Sequence, residues 1–154
     1  MRLLKKLLLL VCISVAADSC APTGPLTPNE AYSRLKRGVE SRDGGAVADI
    51  LSKESLGKIG RVSSMFAAMP PEQRESLARH YGVSDGRLAR LQPEDYMDIV
   101  LSRDDDRNFL QQAFSSPLLS IDRVGNSAYI RFQSGISLLL VREGPYWKLD
   151  ITGY

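Results

Sequence analysis

The ionisable residues of this sequence are not spaced as a catalytic or metal site requires. His80 is the only histidine, and it stands beside Arg79 and Tyr81 near the end of a predicted helix, where an imidazolium suits the helix dipole. A zinc site needs several histidine or cysteine ligands, so a lone histidine predicts no metal centre. The sequence also has no glycine-rich phosphate loop and no nucleophile elbow. We therefore predict no cofactor and no catalytic residue.

Two acidic runs suggest cation binding, but each has a simpler explanation. The run Asp104 to Asp106 is consecutive, so on a helix its carboxylates point in different directions, and arginines flank it on both sides. The run Glu94 to Asp98 follows Pro93, a residue that suits the first position of a helix. Carboxylates in a first turn interact favourably with the helix dipole. Both runs are therefore predicted to begin helices rather than to bind metal.

The last apolar run, from Tyr146 to Ile151, contains a possible ligand platform. Trp147 shares one predicted strand face with its apolar neighbours at alternate positions, as a core residue does, whereas Lys148 and Asp150 point to the other face. Acid–base chemistry inside the fold needs an ionisable group on the apolar face, and this run places none there. Tyr32 offers a hydroxyl from the first helix, but a buried tyrosine commonly uses it in a structural hydrogen bond.

Cys20 is the residue whose chemistry is best indicated, because of the segment that precedes it. The chain begins with the basic segment MRLLKK and continues with an apolar run from Leu7 to Ala17, which Asp18 ends. This run is shorter than the roughly 18 apolar residues that a transmembrane helix needs. A basic start and a short apolar stretch are typical of a bacterial signal peptide, so residues 1–19 are predicted to be removed.

The position of Cys20 resembles that of the lipid-modified first residue of a bacterial lipoprotein. Ser19 suits the position before such a cysteine, although Asp18 is unusual one residue earlier. The segment APTGPLTP follows, and its prolines predict a semi-extended tether over residues 20–27. Cys12 lies in the leader, so the mature chain has no disulfide partner for Cys20. We therefore predict lipid attachment at Cys20, and through it an association with a membrane.

Two other fates of the leader stay open. The tripeptides SVA at 14–16 and VAA at 15–17 both satisfy the small-x-small rule of an ordinary cleavage site, which would give a soluble secreted or periplasmic protein. An uncleaved leader would itself act as a membrane anchor. For a lipoprotein, Ala21 stands where many enteric inner-membrane lipoproteins have aspartate. This favours the outer membrane, facing the periplasm, as the location in the bacterial cell envelope.

The charge of the chain argues against nucleic acid as a partner. The formal net charge is +2, and Arg2, Lys5 and Lys6 against Asp18 account for all of it. From Cys20 onward, basic and acidic residues are equal in number. A neutral mature chain lacks the electrostatic attraction that dominates binding to a phosphate backbone.

The pattern of apolar residues changes from helix to strand along the mature chain. A capping box, TPNE, starts the first helix at Pro28, and helical spacing then predicts five or six helices, the last from Asp105 to Phe114. Four strand-length runs follow from Leu118 to Ile151, separated by turn signals, and the third is apolar on both faces and so central. This predicts one α+β domain over residues 28–154, with helices packed on a four-stranded antiparallel sheet.

The predicted core comes from alternate positions of these runs. We expect the first helix to cover one face of the sheet, on which apolar residues alternate with polar ones. The residues predicted to meet there are Ile130, Phe132, Leu138, Leu140, Trp147 and Leu149 of the sheet and Tyr32, Leu35 and Val39 of the helix.

Three segments resemble small bacterial lipoproteins with an NTF2-like cone domain. They are AY in the first helix, RDGGAVADILS in the passage to the second, and the closing REGPYWKLDI. The likeness extends over most of residues 28–151, and the helical segment from Phe66 to Phe114 is longer than in that family's basic pattern. The resemblance implies a sheet curved around the first helix, often with a pocket inside.

Two functions follow as hypotheses. The first is a non-enzymatic envelope lipoprotein that binds a protein partner or a small apolar ligand, since many NTF2-like proteins are binding modules. The second is an NTF2-like isomerase or hydrolase with an unrecognised site in the cone. An open and wholly apolar pocket would favour the first. An aspartate or glutamate beside a tyrosine or histidine in the cone would favour the second.

Overall fold

The computed structural model describes residues 24–103 and 108–154, and this part of the chain has an α+β fold. Cys20, the predicted signal peptide and the acidic run Asp104 to Asp106 lie outside the described residues. Helices come first, as the sequence predicts. They are α1 Pro28–Glu40, α2 Gly44–Ala48, α3 Lys53–Ala68, α4 Pro71–Tyr81, α5 Asp85–Ala89, α6 Pro93–Ser102 and α7 Phe109–Phe114.

The sheet is an antiparallel meander that follows the helices, which confirms the predicted order and number of strands in this region. Its strands lie side by side in sequence order, so β2 and β3 are central and β1 and β4 are at the edges. The bounds are β1 Leu118–Val124, β2 Ser127–Phe132, β3 Ser137–Glu143 and β4 Tyr146–Asp150. A single parallel bridge joins Leu51 to Leu149, outside the named strands, at the edge of β4.

The start of α1 is fixed by side chains of the TPNE segment, from which the sequence predicted a helix start. The Thr27 hydroxyl accepts a hydrogen bond from the Glu30 backbone N–H at 3.1 Å, and Pro28 occupies the first helical turn. Glu30 in turn accepts from the Leu26 N–H at 2.6 Å. These bonds satisfy N–H groups that a helix start otherwise leaves without partners. They fix the direction in which the chain enters the domain.

The contact between α2 and α6 depends on a glycine. The Gly44 N–H donates to the Asp98 carboxylate at 3.1 Å, and a β-carbon built at Gly44 would collide with the same carboxylate. Any larger residue at this position must push the two helices apart. Because α6 packs against α2, the apolar residues of these two helices belong to one core although they are far apart in the sequence.

The main apolar core, here called the sheet core, lies between one face of the sheet and the helices. The predicted sheet residues are all buried there, together with Leu35 and Val39 of α1, which confirms the predicted packing. Tyr32 is half-buried, and its ring lies 5.7 Å from that of Phe114 and 6.4 Å from that of Phe132. The first helix therefore covers the apolar face of the sheet.

A second and smaller apolar cluster, here called the helical cluster, joins α3, α4, α5 and α6. Its fully buried members are Ala78, Leu88 and Leu91, and several half-buried side chains surround them. Arg74 of α4 binds Asp85 of α5 through two hydrogen bonds, at 2.6 and 3.1 Å. Most of this cluster lies in the segment from Phe66 to Phe114, which the sequence resemblance marked as longer than the family's basic pattern.

The described residues contain seven helices instead of the predicted five or six. The difference is α5, a helix of five residues capped by Ser84, whose hydroxyl accepts from the Arg87 N–H at 3.2 Å. It has too few turns to show a helical repeat in the sequence. The last helix begins at Phe109, after the cap Asn108, rather than at Asp105. None of the helices between residues 24 and 103 or 108 and 154 has the length and apolarity of a membrane span.

Candidate functional site

The inner face of the sheet has no room for a ligand. The inward residues of β2 and of the segment from β4 to Ile151 are each at most 2% exposed, namely Ala128, Ile130, Phe132, Trp147, Leu149 and Ile151. None is ionisable, as predicted, and α1 packs over them. Side chains therefore fill the space in which a cone-shaped fold of this kind would hold a pocket.

Trp147 belongs to this closed face, and one cation lies at its rim. The indole is buried, and the Arg123 guanidinium lies 5.3 Å from its ring centroid. Such a cation–π contact typically contributes about 0.5–1 kcal/mol at an exposed site. Trp147 is therefore a core residue, as the alternation predicted, and Arg123 is a neighbour that the sequence pattern did not reveal.

The acidic residues of α6 have structural partners. Asp95 forms a capping box with Gln92 at the start of the helix, so the prediction of a helix start is correct. Arg87 binds both Asp95 and Asp98, the latter at 2.7 Å. The hydrogen bond that Arg87 donates to Asp95, and then the one that it donates to Asp98, raises the pKa of the Arg87 guanidinium. These carboxylates hold α5 against α6.

His80 is an exposed residue of the last turn of α4. Its ring lies 5.1 Å from that of Tyr81, edge to face. In residues 24–103 and 108–154 there is no group of three or more histidine, cysteine or acidic residues that would hold a metal ion. The placement is the one the sequence suggested, a polar residue at the negative end of a helix.

A groove lies elsewhere among the described residues, at the end of the sheet where the chain enters the domain. It has a volume of about 1110 Å³ and opens between α1, the start of α2, the start of α3 and the β3–β4 hairpin. Four segments distant in sequence line it, with Arg34 and Arg37 on α1, Lys53 on α3 and Lys148 on β4 among the lining residues. We call this feature the hairpin groove.

The entering chain forms one wall of the hairpin groove. Pro25 is buried, and its carbonyl accepts a hydrogen bond from the Trp147 N–H at 2.8 Å. A β-carbon built on Gly24 would lie only 2.6 Å from the Tyr146 ring. Only glycine allows the chain to pass so close to this tyrosine. Within the predicted tether, Gly24 and Pro25 are therefore packed on the domain.

Two of the carboxylates at the hairpin groove already accept hydrogen bonds from helix starts. Asp43 caps α2 by accepting from the Ala46 N–H at 2.9 Å. Glu143, from the end of β3, accepts from the Lys53 N–H at 2.8 Å, at the first residue of α3. The partial positive charge of these helix starts offsets their negative charge. Asp49 is the third carboxylate of the lining.

Three of the four cations that line the hairpin groove are less engaged. Lys148 donates to the Asp49 backbone carbonyl at 2.7 Å, which leaves two of its three donors. Within the part of the chain that the structure describes, the side chains of Arg37 and Lys53 form no ion pair or hydrogen bond. The groove is thus a polar cleft with donors facing solvent, suited to an anionic group rather than to an apolar one.

The comparisons with known proteins assign this arrangement to no family, because no family model, no curated protein and no solved structure matches the chain.

Sequence patterns did not reveal the hairpin groove. Only the spacing of Arg34 and Arg37, three residues apart on one helix, is a local signal, since such residues share a face. Lys53, Tyr146 and Lys148 join them only through the fold. Gly24 lies in a proline-rich stretch that predicts a tether. A glycine in such a stretch does not by itself indicate a close contact with the domain.

Proposed function

We propose that this protein is an exported envelope lipoprotein anchored through Cys20, and that its domain is a non-enzymatic binding module whose binding surface is the hairpin groove. The observation that carries the proposal is the closed inner face of the sheet, at most 2% exposed at Trp147 and its neighbours. With no space and no ionisable residue on that face, an isomerase or hydrolase site inside the sheet is disfavoured.

The NTF2-like cone and the cleaved leader belong to the same proposal. A long first helix lying on an antiparallel meander supports a cone-like arrangement, here with its interior filled. A filled interior also disfavours a small apolar ligand, one of the two ligand classes that the sequence left open. The polar lining of the hairpin groove favours a charged ligand or partner instead.

The anchor is tested on the protein isolated from bacterial membranes. Mass spectrometry of the mature N-terminus is expected to give a peptide that begins at Cys20 and carries the mass of the lipid. Cys20→Ser is expected to move the protein to the soluble fraction or to leave the leader uncut. A first peptide that begins at Ala17 or Asp18 with unmodified Cys20 would contradict the anchor.

The groove as binding surface is tested by photocrosslinking in cells. A photoreactive phenylalanine analogue replaces Ser41, which lines the groove, and in a matched control it replaces Ser76, an exposed residue of α4. We expect a covalent adduct at position 41 and none at position 76. Equal labelling at the two positions, or no adduct at 41, would show that the groove is not the binding surface.

A further inference from the structure

The chain between Cys20 and the hairpin groove is short. Gly24 lines the groove and follows Cys20 by four residues. Because an extended chain spans at most about 3.6 Å per residue, Gly24 lies within about 14 Å of Cys20. A domain of this size has a radius of gyration of about 14 Å, so its diameter exceeds the length of the tether. If Cys20 is lipidated, the groove side of the domain must face the bilayer.

The charges at this membrane-proximal side are of the sign that membrane phosphates attract. Four of the lining residues are cations, and two of the three carboxylates are held by helix-start N–H groups. The mature chain as a whole is neutral, so this surface differs from the average of the protein. Fields from an anionic membrane surface extend over a Debye length, about 8 Å at physiological ionic strength.

The hairpin groove also has an aromatic wall. Tyr146 is half-buried, packs against Gly24 and lies directly after the β3–β4 turn. Tyrosine is enriched at the headgroup level of membranes because its ring is apolar and its hydroxyl is polar. Cations together with such a ring, close to the proposed point of attachment, suit the headgroup level of a membrane.

We propose that the hairpin groove binds the phosphate-bearing headgroup of an anionic lipid in the membrane that holds the protein, with Arg37 and Lys53 contacting the phosphate. The inference rests on the proposed anchoring at Cys20, which places the groove against the bilayer. Arg37 and Lys53 are the phosphate contacts because both line the groove and neither side chain has another partner among the described residues. Headgroup binding then fixes the orientation of the domain, and not only its distance from the membrane.

The test uses the mature chain with Cys20→Ser, so that lipid attachment does not contribute to binding. Flotation with phosphatidylcholine vesicles, with and without phosphatidylglycerol, measures the preference for an anionic headgroup. The double variant Arg37→Gln/Lys53→Gln is compared with Lys36→Gln/Arg61→Gln, which removes the same charge at exposed positions outside the groove. Each basic residue near an anionic surface contributes roughly fivefold to affinity, so the groove variant should lose roughly 25-fold and the control far less.

Several outcomes would overturn the headgroup proposal. They are equal binding to both kinds of vesicle, equal losses in the two double variants, or a crosslink from position 41 that joins a protein and no lipid. These results do not depend on the anchor, whose own failure appears as an unmodified Cys20 in mass spectrometry. The failure of the headgroup site and the failure of the anchor are therefore separate observations. Circular dichroism of both double variants checks that each is folded.

Discussion

The sheet core and the helical cluster differ in how much apolar surface they bury and in what holds them closed. The sheet core contains large side chains, Trp147 among them, from a four-stranded sheet and from helices before it. Among the described residues, the helical cluster has Ala78, Leu88 and Leu91 buried, and the half-buried ion pair of Arg74 with Asp85 supplements it. Regions with few buried apolar contacts open more readily, so the two should differ in local stability.

The hairpin groove borders the sheet core and not the helical cluster. Its walls come from α1, the starts of α2 and α3, and the β3–β4 hairpin, all of which contribute buried residues to the larger core or adjoin them. A binding surface built on rigid elements holds its charged groups in place more accurately than one on a loop. The comparison indicates that the candidate site lies on the elements of the sheet core, which should be the more stable region. Helices α4 and α5 form an additional layer.

The largest effect is expected in the sheet core. Trp147→Ala removes a buried indole, and removing a large buried aromatic costs about 3–5 kcal/mol. The free energy of unfolding, measured by urea denaturation, should fall by that amount. Leu119→Ala is the control, because Leu119 is 64% exposed and a surface substitution changes stability by about 0.5 kcal/mol or less. Similar losses in both variants would mean that Trp147 is not part of the core.

A smaller and more local effect is expected in the helical cluster. Leu88→Ala should cost about 2–3 kcal/mol, near the low end for a buried leucine, since a small cluster collapses easily around the gap. Native-state hydrogen exchange should show faster exchange in α4 and α5, with the amides of β2 and β3 still protected. Equal acceleration in the sheet would contradict the distinction between the two regions.

One buried hydroxyl tests how α3 is joined to the sheet core. Ser55 accepts a hydrogen bond from the Ile151 N–H at 2.8 Å, next to the end of β4. Ser55→Ala leaves that buried N–H without its acceptor, which costs about 1–3 kcal/mol. Ser64→Ala on the same helix is the matched control, because Ser64 is exposed and bonds only to the Gly60 carbonyl. Thermal denaturation should separate the two variants.

The smallest effect is expected from the half-buried ion pair between Arg74 and Asp85 of the helical cluster. The hydrogen bond from Arg74 lowers the pKa of the Asp85 carboxyl. A carboxylate with a lowered folded-state pKa stabilises the fold above its ordinary value, about 3.9, and this contribution is lost as the pH falls below it. Hydrogen exchange in α4 and α5 should therefore speed up on acidification, and Asp85→Asn should remove that part of the pH dependence. An unchanged pH dependence in the variant would exclude the pair as its source.

Prediction from the sequence succeeded where the apolar residues of a helix or strand repeated with one period along its full length, or where a local capping signal marked its start. The alternation through Trp147 and Leu149 identified the buried face of β4, and the capping box identified the start of α1 at Pro28. It failed at α5, because Asp85–Ala89 has barely more than one turn.

The hairpin groove could not be predicted from sequence patterns, and the reason differs from that for α5. Its cations lie on α1, α3 and β4, and no local pattern states that Lys53 lies near Lys148. Whether two such residues lie near each other depends on the packing of all the elements that separate them in the sequence. The sequence could indicate the proposed anchor at Cys20, which is a local signal, but not the groove that the fold assembles.

The hydrogen bond between Pro25 and the edge strand β4 has a consequence for self-association of the protein. The outer edge of β4 would otherwise present its backbone groups to any passing strand, as exposed sheet edges do. Pro25 accepts from Trp147, the Ile50 carbonyl accepts from the Leu149 N–H at 2.7 Å, and the Ser52 N–H donates to the Leu149 carbonyl at 2.8 Å. The incoming segment thus completes a cover over this edge, and a proteolytic cut that released it would uncover backbone groups of β4 able to pair with another strand.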